Sequence, residues 1–118
     1  MPIHAMRNAF TFLHEGDGTT VHFPAGTGLS EEHVQAVAGR LCELVADRAH
    51  TPLTLDLSEV VTVSSGALGK LLGLNRAVGA AGGRLILADP TSVVRRVFRV
   101  TRLDTVLTIH TGSAAGAI

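Results

Sequence analysis

The chain has 118 residues, 46% of them apolar, and ten Lys plus Arg balance ten Asp plus Glu, so its formal charge at neutral pH is zero. That length suits one domain with a modest core, and the charge balance excludes an overall basic field that would draw in nucleic acid or a lipid surface. With four Phe and no Trp or Tyr, there is also no aromatic platform for stacking bases.

The single cysteine, Cys42, cannot form an internal disulfide, and it falls in an apolar-periodic segment where a buried structural thiol is expected. No run of about 18 apolar residues marks a membrane span, so a cytoplasmic protein without membrane insertion is expected. The six histidines, His4, His14, His22, His33, His50 and His110, are scattered and form no pair at zinc-site spacing. No metal and no cofactor is therefore expected.

In chain order, "NAFTFLHE" and "TTVHFPAG" alternate apolar and polar residues around "GDG", which predicts two strands joined by a tight turn. "GLSEEHVQAVAGRLCELVADRAH" predicts a helix with Ser30 as N-cap, Glu31 and Glu32 in its first turn, and a buried stripe of Val34, Val37, Leu41, Leu44 and Val45. Pro52 ends it. "LTLDLSEVVTV" reads as one nearly continuous inner strand, with Asp56 tied to a neighbouring backbone group.

From Ser65 the apolar period becomes helical through Leu68, Leu71, Leu72 and Val78, and Gly82 and Gly83 suit a left-handed C-cap. "RLILA" is a further core strand. "DPTSVVRRVFRVT" predicts a helix capped by Thr91 or Ser92, with Val93, Val94, Val97 and Phe98 buried. Arg95, Arg96, Arg99 and Arg102 then point outward as a solvated face, the alternative being a surface for an acidic partner. "TVLTIH" is the last strand. The alternation of strands and helices predicts an α/β sheet with right-handed crossovers in a single domain, 1–118. Its core is expected over about residues 8–110, with flexible ends at 1–7 and 111–118.

The stretch "TVSSGALGKLLG", Thr62 to Gly73, holds the chemistry. It is not a phosphate-binding loop, because Gly69-Lys70 is followed by Leu71 and the position five before Gly69 is Ser64 rather than glycine. Nor is it a hydrolase elbow, because neither Ser64 nor Ser65 has glycine two residues to each side. A serine hydrolase is the weakest of the functional readings. A serine at a strand-to-helix junction is a natural N-cap, and the same place tolerates a phosphoryl group, since the free N–H groups and helix dipole stabilise negative charge. Gly66, Gly69 and Gly73 cost a helix about 1 kcal/mol each against Ala, which points to close approach of a neighbouring backbone, within the domain or in a partner.

These residues resemble the STAS domain of anti-sigma factor antagonists, whose pattern is a strand ending Asp-Leu-Ser, then Asp-Ser-Ser-Gly-Leu-Gly opening a helix. Asp56-Leu57-Ser58, Leu68-Gly69, "AGGRL", the Pro90 helix and "TRLDTVL" carry the match, which covers about Thr20 to Ile109. The ungapped register puts Ser64 at the family's aspartate, Ser65 at its phosphorylated serine, Gly66 at the second serine and Ala67 at the following glycine. A gap would rotate the buried helix stripe by about 100°.

The resemblance implies a small mixed β-sheet packed with helices, and a switch rather than an enzyme. The antagonist binds an anti-sigma factor that is also a serine kinase, is released by phosphorylation, and is reset by a phosphatase. It implies Ser65 as phosphoacceptor, with Ser64 as the alternative, and Ser64, Ser65, Gly66, Ala67, Leu68 and Gly69 as the partner-binding stretch. Ser64 in place of aspartate keeps a second reading open: a STAS-like module without a phosphorylation switch, acting as a subunit or ligand sensor of a transport or signalling assembly.

Overall fold

The computed structural model describes the backbone of residues 11–15, 18–47 and 52–111, and their side chains apart from those of 12, 14, 15 and 41–47. The expectations for the N-terminal arm, the Gly16-Asp17 turn and the C-terminal tail lie outside the described residues, and those for burial of Leu41, Cys42, Leu44 and Val45 lie outside the described side chains. The elements are β1 (Thr11–Glu15), β2 (Gly18–His22), β3 (Thr27–Leu29), α1 (Glu31–Asp47), β4 (Leu53–Asp56), β5 (Val60–Val63), α2 (Ser65–Ala80), β6 (Leu85–Ala88), α3 (Ser92–Val100), a 3-10 turn (Leu103–Thr105) and β7 (Thr108–His110).

Five strands form one mixed sheet in the order β1-β2-β4-β6-β7, with β1 and β2 antiparallel and every other pair parallel. The period of two separates its faces. Val21, Leu53, Leu55, Leu85 and Leu87 point into the core, where they join Val34 and Val37 of α1, Leu71, Leu74 and Val78 of α2, and Val94 and Phe98 of α3. The register lays Thr11, His22, Asp56, Ala88 and His110 in one row of the other face, and Leu13, Thr20, Thr54, Ile86 and Thr108 in the next. The mixed α/β architecture agrees with the expectation.

The segment "LTLDLSEVVTV" does not form one strand. It breaks at Asp56, whose Oδ1 accepts from the Ser58 amide at 3.0 Å, while the Val60 amide donates to the Leu57 carbonyl at 3.0 Å. The side chain thus competes with the ladder for its own backbone and turns the chain. β5 leaves the main sheet and pairs in parallel with β3, a three-residue strand that local pattern does not reveal.

Two helix ends follow their expected chemistry. Ser30 and His33 form a reciprocal cap at the start of α1: the Ser30 amide donates to His33 Nδ1 at 3.2 Å, and the His33 amide donates to Ser30 Oγ at 3.4 Å. At the end of α2, Gly82 has φ +87°, with Gly82 N donating to Gly79 O and Gly83 N to Val78 O at 2.8 Å, a Schellman closure.

α3 departs from its expected stripe. Thr91 caps it, with Oγ1 accepting from the Val94 amide at 3.4 Å, and Val94 and Phe98 are buried. Val97 is half-buried and Val93 is 55% exposed, because a nine-residue helix seated on β5 turns only two positions fully inward. The last strand is also shorter than expected. Leu103–Thr105 are taken by the 3-10 turn, entered through Arg102 at φ 63°.

Candidate functional site

Strands β3 and β5 lie side by side and run in parallel into the N-termini of α1 and α2. The Ser64 amide continues their ladder, donating to the Leu29 carbonyl at 2.9 Å. Two helix starts, Ser30-Glu31 and Ser64-Ser65, are thereby placed together on one edge of the molecule.

Ser64 is the N-cap of α2. Its backbone is extended at φ −79°, ψ 161°, and its Oγ accepts from the Ala67 amide at 3.1 Å. Ser65 is the first helical residue. It is exposed, and no hydrogen bond among the described residues engages its hydroxyl. The amides of Ser65 and Gly66 precede the helical ladder, so the dipole and these donors favour negative charge at this spot.

Gly66 explains its own helix penalty. A Cβ there would lie 2.9 Å from Glu31 Oε1 and 3.3 Å from Glu31 Cβ, so the absent side chain lets the first turn of α1 press against α2. Glu31 Oε2 also lies 3.8 Å from Lys70 Nζ, one turn along. Gly69 and Gly73 differ, since a Cβ on either would meet nothing within 4 Å. Close approach inside the domain, by the Glu31 side chain rather than by the expected neighbouring backbone, therefore accounts for the first glycine but not for the other two.

The six residues of the proposed contact stretch divide by burial. Ser64, Ser65 and Gly69 are exposed, and Gly66 and Leu68 are half-buried. Ala67 is fully buried and serves the core, because the third helical position of this register points into the hydrophobic cluster rather than to solvent. The residue that sequence reasoning missed is Glu31, assigned only to its own helix dipole; the spacing of more than thirty residues from Gly66 hid the contact.

Neither Ser64 nor Ser65 bonds an imidazole among the described residues, whereas Ser30 Oγ lies 2.7 Å from His33 Nδ1. Elsewhere, His22 Nδ1 and Asp56 Oδ2 are 2.8 Å apart beside a shallow cavity of about 240 Å³ lined by Thr20, Thr54, Asp56, Ile86, Ala88, Asp89 and His110. Asp56 is therefore committed to the Ser58 amide, as expected, and to His22 as well. No group of three or more potential metal ligands occurs among the described residues.

Comparison with known proteins converges on this architecture. Residues 16–109 match a family model described as "Mlab, STAS domain". A TM1081 homologue of Thermotoga neapolitana, named with the anti-sigma factor antagonists, is 30% identical over 64 residues, 54% of this chain and 57% of the relative. The chain thus aligns with just over half the length of that relative. Among solved structures, TM1081 of Thermotoga maritima superposes with a TM-score of 0.71 at 21% identity, covering 92% of this chain and 91% of the other. The antagonist SpoIIAA of Bacillus, in its phosphorylated form, superposes at 0.64 and 21% identity over 91% and 96% of the two chains. The family match across residues 16–109, most of the chain, places this protein in the STAS domain family.

Proposed function

We propose that the chain is an anti-sigma factor antagonist, an interaction module that binds an anti-sigma factor with serine kinase activity and is released when Ser65 is phosphorylated. The observation that carries this reading is the division of labour at the junction: Ser64 closes the helix, and Ser65, next to it, is exposed with its hydroxyl unengaged. A phosphoryl group on Ser65 leaves the cap intact. It adds about two negative charges to the surface and so repels a partner docked there. Among the described residues no helix is long and apolar enough to cross a membrane. A cytoplasmic site of action, where kinase, ATP and a resetting phosphatase meet, completes the proposal.

The test is incubation with the anti-sigma factor of the same organism and ATP, followed by peptide mass spectrometry. Phosphate on Ser65 supports the switch; phosphate on neither Ser64 nor Ser65 overturns it.

A second reading is favoured by one feature. The position before Ser65 holds an uncharged serine whose oxygen is already occupied by the cap. A STAS module that acts without phosphorylation, as a subunit or sensor in a transport or signalling assembly, fits that feature. A kinase-like ATPase or sigma factor encoded nearby supports the switch, and a transporter operon supports the alternative.

A further inference from the structure

Helix α3 presents apolar side chains in two directions. Val94 and Phe98 enter the core, whereas Val93, Val97 and Val100, spaced by four and three residues, form a second strip along its flank. Val93 is 55% and Val100 74% exposed, and with Val97, Arg96 and Thr101 they line a groove of about 280 Å³. Val106, 57% exposed, follows beyond the helix.

Arg96 forms the rim of this groove, with Arg99 one turn on and Arg95 and Arg102 nearby. All four arginines are exposed, and none has an ion-pair or side-chain hydrogen-bond partner among the described residues. A helix that only needed solubility would not carry three valines beside them. Arginine next to a desolvatable apolar strip is instead the composition of a protein interface.

Charge selects the occupant. α3 itself carries no acidic residue, the nearest being Asp89 before it and Asp104 in the 3-10 turn after it, so a second copy docked by two-fold symmetry about the helix would set arginines against arginines. The chain's own segments outside the described residues, 1–10, 16–17, 48–51 and 112–118, hold one acid, Asp17, against Arg7 and Arg48. They offer little to match four cations. A bilayer needs a broad apolar face, and the broad face of α3 is already spent on the core.

We infer that the Val93–Val97–Val100 strip, with Arg96 and Arg99, is a docking surface for a protein segment that sets carboxylates beside an apolar anchor. The inference rests on the proposed function in taking that partner to be the anti-sigma factor, and adds to the Ser65 junction a contact on another helix.

The experiment measures binding of the full chain to the purified anti-sigma factor at two salt concentrations. The proteins compared are the wild type, R96E/R99E, V93S/V100S and Ser65→Asp, each checked by thermal unfolding. All the substituted side chains are exposed. R96E/R99E is expected to weaken binding about tenfold or more and to flatten its salt dependence, with V93S/V100S weakening it about fivefold. Affinities of both double variants within twofold of the wild type overturn the inference while leaving the switch standing if Ser65→Asp still weakens binding. Failure of the wild type to bind overturns both. Vesicles containing 30% phosphatidylserine and light scattering of the free protein are run in parallel. Arginine-dependent vesicle binding, or valine-dependent self-association, without an effect on the anti-sigma factor overturns it in favour of a membrane or a second copy.

Discussion

The Ser64 amide donates to the Leu29 carbonyl at 2.9 Å, fastening the start of α2 to the end of the strand that leads into α1. The two helix starts are thus one structural unit, and a change at either is felt by the other. The cap on Ser64 and the exposed hydroxyl on Ser65 sit at the centre of that unit, which separates a serine that closes the helix from one that faces solvent.

Ser64→Ala removes the cap to the Ala67 amide. It is expected to destabilise the domain by about 1 kcal/mol, lowering the melting temperature by about 4 °C. Ser65→Asp places a negative charge at the first helical residue, which the dipole tolerates, so its melting temperature should stay within a few degrees of the wild type while affinity for the anti-sigma factor falls at least tenfold. Thermal unfolding and a binding titration on the same samples check both. Reversed sensitivities would assign the two serines the opposite roles.

The three glycines of α2 should respond differently to alanine. Gly69→Ala and Gly73→Ala meet open space and are expected to stabilise by about 0.5–1 kcal/mol each. Gly66→Ala gains the same propensity but drives its Cβ into Glu31, so it should be neutral or destabilising. Urea denaturation of the three variants gives the comparison. If Gly69→Ala or Gly73→Ala weakens partner binding while stabilising the fold, the glycine spacing belongs to the interface.

Asp56→Ala loses both the Ser58 amide bond and the His22 contact. A loss of about 1–2 kcal/mol is expected, the contribution of His22 being small because its side chain is 40% exposed. Asp56→Asn keeps an oxygen for the Ser58 amide and should lose less than half of that. Equal losses for the two variants would mean that charge rather than the turn matters here.

Phe98 is fully buried between α3 and the strands. Phe98→Ala is expected to cost about 3–5 kcal/mol, whereas V93S/V100S, confined to the exposed flank of the same helix, should cost less than about 1 kcal/mol. Chemical denaturation measures both, and a large loss for the valine pair would show that the flank is packed in solution.

The sequence by itself determined the helices, their serine and threonine caps, the Gly82 closure and the succession of the main-sheet strands along the chain. Each is set by contacts within about five residues or by an apolar period, so the information is local. It also determined the junction that carries Ser64 and Ser65. Only the tertiary structure decided that "LTLDLSEVVTV" divides between two sheets, because the break depends on whether Asp56 bonds its own backbone, and the second half then needs β3 as a distant partner. The same holds for Glu31 against Gly66 and for the outward turn of Val93. Both depend on how one helix rests on an element far away in the chain, and an apolar or acidic side chain reads the same in the sequence whichever way its helix is turned.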